Sequence, residues 1–139
     1  MRVLIDTNVV LDVILEREPF VETAVAFFAL IEAGKIQGYI AATTITNIFY
    51  IVHKLKGREV ALDAIARLLQ GLNLCAVESR VIQQALYLNL HDFEDGVQLA
   101  CAVIEGLDAV VTRDVNDFQN VNFTVLSTAH LVDQFTLAE

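Results

Sequence analysis

Met1-Arg-Val-Leu-Ile-Asp-Thr-Asn8 decides how the rest of the chain reads. Three consecutive apolar residues, Val3, Leu4 and Ile5, run into a single carboxylate, Asp6. A short apolar run with β-branched residues, followed by a helix-like pattern, predicts a central parallel strand buried on both faces. In open α/β sheets the ligand crevice lies outside the carboxyl ends of such strands, so Asp6 is expected to face a functional site. Asp6, Thr7 and Asn8 could instead cap the following helix, since all three accept hydrogen bonds from orphan N–H groups. Capping explains one such residue well and three in a row less well. It also leaves unexplained the acids that recur at later strand ends.

Downstream, apolar positions 9, 10, 11, 13, 14 and 15 predict a short helix from Val9 to Arg17, with Asp12 and Glu16 on its outer face. Pro19 suits the first turn of a second helix that runs through Phe27 and Ile31 and stops before Gly34. Gly34 to Gly38 reads as a turn, Tyr39 to Ala42 as a brief strand, and Ile45, Ile48, Phe49 and Val52 as the stripe of a third helix. That helix closes on His53-Lys-Leu-Lys-Gly-Arg58, a cationic end that suits a helix C-terminus and is the chain's one basic cluster. Arg58 to Leu72 is amphipathic, Leu72 to Val77 reads as a strand, and Ser79 can cap a helix from Arg80 to Asn89. Helix Glu94 to Glu105, strand Asp108 to Thr112, a polar loop Arg113 to Phe118, strand Val125 to Ser127 and a closing helix to Phe135 complete the order. Strands alternating with helices throughout predict a parallel sheet with helices on both faces.

The 139 residues suffice for one domain with a real core, and a single domain spanning 1–139 is expected. Hydrophobic residues make up 55%, above the usual ~45–50%, which points to self-association, with a homodimer the simplest form. The longest apolar run, Ala24 to Ile31, is far short of the ~18 residues a membrane span needs. The beginning of the chain lacks a signal-type apolar core, so a cytoplasmic location is expected. Cys75 and Cys101 lie in apolar surroundings and read as reduced core residues, and the three scattered histidines lack the spacing of a zinc site. A net charge of −9 argues against broad electrostatic binding to nucleic acid. It remains compatible with a nucleic-acid enzyme whose clustered carboxylates reverse their local sign when they take up a divalent cation.

Carboxylates fall at three places where a parallel sheet would expose its functional edge: Asp6; Asp92, Glu94 and Asp95; and Asp114 with Asp117. Oxygen-rich sites suit Mg²⁺ or Mn²⁺. Crowded like charges raise one another's pKa, so such a cluster is costly unless a cation resides in it. A metal-assisted phosphodiester hydrolase uses a site of this kind to activate water and to stabilise charge on the attacked phosphate. The middle group also has a structural explanation, because acids at a helix N-terminus meet the helix dipole and Asp92 can be the cap. Successive helical residues point about 100° apart, so Glu94 and Asp95 are not expected to face the same way.

Val3-Leu-Ile-Asp-Thr-Asn8, Phe93-Glu-Asp95 opening an Ala-rich helix, and Val111-Thr-Arg-Asp-Val-Asn-Asp-Phe118 together resemble the PIN domains, best known from the VapC-like toxin ribonucleases. The resemblance covers nearly the whole chain. It implies a three-layer α/β/α sandwich with a central parallel sheet, Mg²⁺- or Mn²⁺-dependent cleavage of an RNA substrate, and an antitoxin protein as partner. Position by position it makes Asp6 and Asp95 metal-site carboxylates, with Asp114 and Asp117 in the last acidic segment. Thr7, Asn8, Glu94, Thr112 and Arg113 would then play supporting roles. Many members carry a Glu on the helix after the second strand, where this chain has Thr46-Asn47. Asn47 can offer an amide oxygen or hold a water but adds no charge.

Other strand-end chemistries fit less well. A dinucleotide fold needs a Gly-rich turn after the first strand, and Asp6-Thr-Asn-Val-Val10 has none. A phosphoacceptor receiver needs an Asp at the third strand and a Lys near the last, and neither is present. The remaining alternative is a non-catalytic PIN-like module that dimerises or binds protein or RNA, its acid site weakened at position 47.

Overall fold

The computed structural model describes residues 1–137, so the last two positions of the expected 1–139 domain lie outside the described residues. Five strands form one sheet: β1 (Arg2–Ile5), β2 (Gln37–Ala41), β3 (Asn73–Cys75), β4 (Ala109–Thr112) and β5 (Val125–Ser127). Their order is β3-β2-β1-β4-β5, and every pairing is parallel. Among the described residues seven helices connect and follow them: α1 (Thr7–Ile14), α2 (Val21–Glu32), α3 (Ala42–Lys56), α4 (Arg58–Gly71), α5 (Ser79–Leu88), α6 (Phe93–Glu105) and α7 (Thr128–Leu137).

Strand alternation divides the interior into two cores. Val3 and Ile5 of β1 and Ala109 and Val111 of β4 pack with Phe27 of α2, Ile48 of α3 and Leu131 of α7. Leu4 and Val110, the residues between them, point the other way, into a core with Val81 and Ala85 of α5 and Leu99 and Ala102 of α6. Each central strand is therefore apolar on both faces, which is why Val3-Leu-Ile5 is a continuous run with no polar alternation. The result is the expected three-layer α/β/α sandwich, with α1, α2, α3, α4 and α7 on one face and α5 and α6 on the other. Among the described residues no helix is long and apolar enough to cross a membrane.

The chain order switches at β1, whose neighbours β2 and β4 are reached by crossovers to opposite sides. A crevice opens at such a switch point, beyond the carboxyl end of β1, and Asp6 follows β1 directly.

Several local expectations change. The first helix starts at Thr7, two residues early, and Asp12 is buried at 1% exposure rather than on an outer face. The reason is a cation from elsewhere in the sequence: Arg113, just past β4, reaches Asp12 at 2.7 Å. Pro19 precedes α2 instead of occupying its first turn, because the helix begins at Val21. Gln37 and Gly38 belong to β2, not to a turn. A Cβ on Gly38 would come within 2.7–2.9 Å of Leu72, Ile31 and Ile5, so this glycine is there for close packing. Ser79 opens α5 without capping it, and Glu78 at the cap position makes no side-chain bond.

Candidate active site

A pocket of about 570 Å³ opens at the switch point, within the roughly 300–1,000 Å³ common for ligand sites. Asp6, Thr7 and Asn8 line it from the end of β1, Asn47, Tyr50 and Ile51 from α3, His91, Asp92, Glu94 and Asp95 from the start of α6, and Asn116 and Asp117 from the loop after β4. Three segments far apart in sequence thus bring their acids to one place.

Asp6 is 3% exposed and stands at the N-cap position of α1, yet its side chain makes no capping bond. Its oxygens are engaged from across the sheet. Gln98 Nε2 donates to Oδ1 at 3.0 Å and Thr112 Oγ1 donates to Oδ2 at 2.9 Å. The Gln98 side chain is fully buried, and its Oε1 accepts from the Thr7 backbone N–H at 3.2 Å. One amide therefore fixes both the carboxylate and the first turn of α1, and the Thr7 bond leaves its NH₂ group to face Asp6. Sequence reading missed Gln98. Its only signal is that it lies three residues past Asp95 on the same helix, the spacing that returns a side chain to one face.

Thr7 Oγ1 donates to Glu94 Oε1 at 2.9 Å and lies 3.2 Å from the buried Thr44 Oγ1 of α3. With the Thr7 proton committed to Glu94, Thr44 is left as donor in the second contact, and α1, α3 and α6 are joined by one chain of hydroxyls. Glu94 and Asp95 both line the pocket from the start of α6. Their partners distinguish them. Glu94 is tied to Thr7, and Asp92 caps the helix by accepting from the Asp95 N–H at 3.1 Å.

Asp95 shows the strain of this crowding. Burial, then the charges of Asp6, Asp92, Asp117 and Glu94, push its carboxyl up to about 7. Burial also raises Asp117, assisted by Asp114 and Asp6 and opposed by Arg113. The two acids of the last segment separate: Asp117 lines the pocket, whereas Asp114 accepts from the Asn116 N–H at 3.0 Å and caps a 3-10 turn, Val115–Phe118, without lining it. Asn47 does line the pocket, at the wall where the resemblance would place an acid.

Arg113 faces away from the cleft. It pairs with Asp12 and its guanidinium lies 4.1 Å from the Phe20 ring centroid, while Arg17 stands 4.0 Å from the same Asp12 oxygen. Burial raises the Asp12 carboxyl and the two arginines oppose that shift. Asn8 accepts a long 3.5 Å contact from Arg17.

The donors around the pocket are oxygens, which suit hard divalent cations. Among the described residues no three His, Cys, Asp or Glu side chains are gathered closely enough to hold a metal ion together. That arrangement still fits Mg²⁺, which usually keeps several waters and takes only one or two carboxylates from the protein. Cys75 and Cys101 are free and buried, and burial raises their thiols to about 12 and about 11.

A PIN domain family model matches residues 2–116. Ribonuclease VapC1 of Aquifex aeolicus is 24% identical over 139 residues, covering 96% of this chain and 95% of that protein. The fold is similar to DNA-bound VapBC from Salmonella typhimurium, with TM-score 0.72, 17% identity and coverage of 92% of this chain and 98% of that one. It is also similar to Mycobacterium tuberculosis VapC20, a sarcin–ricin loop cleaving toxin, with TM-score 0.68, 16% identity and coverage of 84% and 92%.

Proposed function

Because the chain belongs to the PIN domain family, we propose that it is a divalent-metal-dependent endoribonuclease, the toxin of a toxin–antitoxin pair. The observation that carries this reading is that Asp6, Asp95 and Asp117, from three distant segments, line one pocket, where burial and then the surrounding acids push the Asp95 carboxyl up to about 7. Carboxylates crowded at this cost are a site prepared for a cation.

Asp6 and Asp95 are the residues that would hold Mg²⁺ or Mn²⁺, with Asp117, Glu94 and Asn47 lining the pocket for waters around it and Asp114 shaping the loop. The chemistry such an ion supplies when bound is activation of water and neutralisation of charge on the attacked phosphate. The protein's own part is positioning. Gln98 and Thr112 hold both Asp6 oxygens, so the carboxylate needs little reordering when RNA arrives. Thr7 and Thr44 fix Glu94 relative to α3.

An antitoxin partner is supported by the similarity to chains solved in toxin–antitoxin complexes and by an apolar groove of about 430 Å³ between α1, α2 and α4. The exposed Leu86 and Tyr87 of α5 support a homodimer, and the buried, unpaired cysteines support a cytoplasmic setting. Asn47 favours one second reading, a PIN module that binds RNA or protein without cleaving.

Incubation of the purified protein with a structured RNA, with and without Mn²⁺, separates the two. Mn²⁺-dependent cleavage that disappears in Asp6→Asn, while the melting curve stays cooperative, is the expected result. An equal absence of cleavage in wild type and variant would leave the non-catalytic module standing.

A further inference from the structure

The pocket's mouth carries an aromatic group that metal chemistry does not require. Tyr50 of α3 is 72% exposed although it lines the acidic pocket, while its neighbour Phe49 packs against the core. His91, also exposed, lines the same pocket from the residues leading into α6, so rings stand on walls built from opposite faces of the sheet. Along α3, Asn47, Tyr50, Ile51 and Lys54 share one face at i, i+3, i+4 and i+7. That stripe begins at the acids and ends, about 10 Å further along the axis, in the chain's one basic cluster.

We propose that this face of α3 is the track for single-stranded RNA, with Tyr50 the platform on which a nucleobase beside the scissile phosphate stacks. The inference rests on the ribonuclease reading and adds where the substrate runs. Single-stranded RNA is bound by combining aromatic surfaces for unstacked bases with cations that follow the phosphates, and the stripe supplies one of each in line with the acids. The acidic molecule repels RNA elsewhere, so the cationic end of α3 sets the direction in which the strand leaves the pocket.

The test is anisotropy of a short fluorescein-labelled single-stranded RNA, with Ca²⁺ in place of Mn²⁺ so that binding is read without turnover. Tyr50→Ala should weaken binding about 5- to 150-fold, the range that corresponds to loss of one stacked base, and Tyr50→Phe should restore it. Lys54→Gln should lower the slope of log affinity against log salt by about 0.7. Mn²⁺ affinity by calorimetry should not change in any of the three. Unchanged RNA affinity in Tyr50→Ala overturns the proposal, as does an Ala variant that alters only the mass measured by light scattering, which would make Tyr50 a contact between copies. Wild type that binds RNA through Tyr50 yet never cleaves it with Mn²⁺ would overturn the nuclease reading and leave the track in place.

Discussion

Gln98 secures two parts of the site with one side chain. Its fully buried amide donates to Asp6 and accepts from Thr7, so its loss strands a carboxylate oxygen and a backbone donor together. Gln98→Leu, close in volume, should cost about 3 kcal/mol in urea unfolding, because buried groups left unpaired bear their full desolvation penalty. Its Mn²⁺ affinity should also fall about 10- to 100-fold, as for other residues that orient a metal ligand. Stability loss with unchanged affinity would show that Asp6 holds its position without help. At position 47, Asn47→Glu adds a charged oxygen to the pocket wall and should tighten Mn²⁺ at least tenfold, roughly 1.4 kcal/mol, while lowering the metal-free melting temperature. Titration calorimetry paired with melting reads both, and no change in either would mean the new carboxylate turns away.

Asp95 gives a pH dependence whose sign can be worked out. Its folded-state carboxyl is raised from 3.8 to about 7, first by burial and then by neighbouring acids. Below 3.8 the carboxyl is protonated in both states, and between there and about 7 the unfolded chain releases a proton that the folded chain keeps. Its effect is therefore a loss of stability as pH rises through that window, with the full penalty above about 7. Metal-free protein should melt higher at the acidic end of the window than above it, and saturating Mn²⁺ should shrink the difference. A melting temperature that climbs across the window would contradict the crowding.

At the scale of elements, two contacts tie the site's segments to the sheet. Arg113 joins the loop after β4 to Asp12 of α1 and stacks on Phe20, just before α2. Removing Arg113 leaves the buried Asp12 carboxylate only the 4.0 Å contact of Arg17, so Arg113→Met should destabilise, by up to about 3 kcal/mol. Arg113→Lys should recover part of that, since it keeps the charge and loses the planar stack. Equal losses in both variants would assign the effect to the stack. Gly38 governs how closely β2 approaches α2: a methyl group there would overlap Leu72, Ile31 and Ile5, and Gly38→Ala should cost about 1–3 kcal/mol by chemical unfolding.

For the whole molecule, charge and apolar surface are the relevant quantities. Nine excess negative charges oppose RNA, so binding should depend steeply on divalent cation. Ile82, Leu86 and Tyr87 leave α5 with an apolar exposed side. Light scattering at micromolar concentration should give twice the chain mass, and Leu86→Asp with Tyr87→Asp should halve it. A wild-type mass of one chain would show that these residues tolerate water singly.

The presence of each strand, the sheet type and the acids at strand ends were legible in the sequence because each is written in local pattern, whereas the bounds of β2 and β3 were not. A doubly buried strand must be apolar at every position, as Val3-Leu-Ile5 is, and a parallel sheet puts its strand ends at one edge whatever the loops do. Asp92 as a helix cap was legible for the same reason, since a cap is a contact between residues three apart. Tertiary structure alone decided what depends on distant partners. Asp12 has the spacing of an exposed helical acid and is buried because Arg113, 101 residues on, neutralises it. Gln98 looks like any polar helix residue until the sheet brings Asp6 and Thr7 to it across more than ninety residues. Asp114 and Asp117 carry the same charge in the same loop, and only the 3-10 turn decides that one serves the backbone while the other enters the pocket.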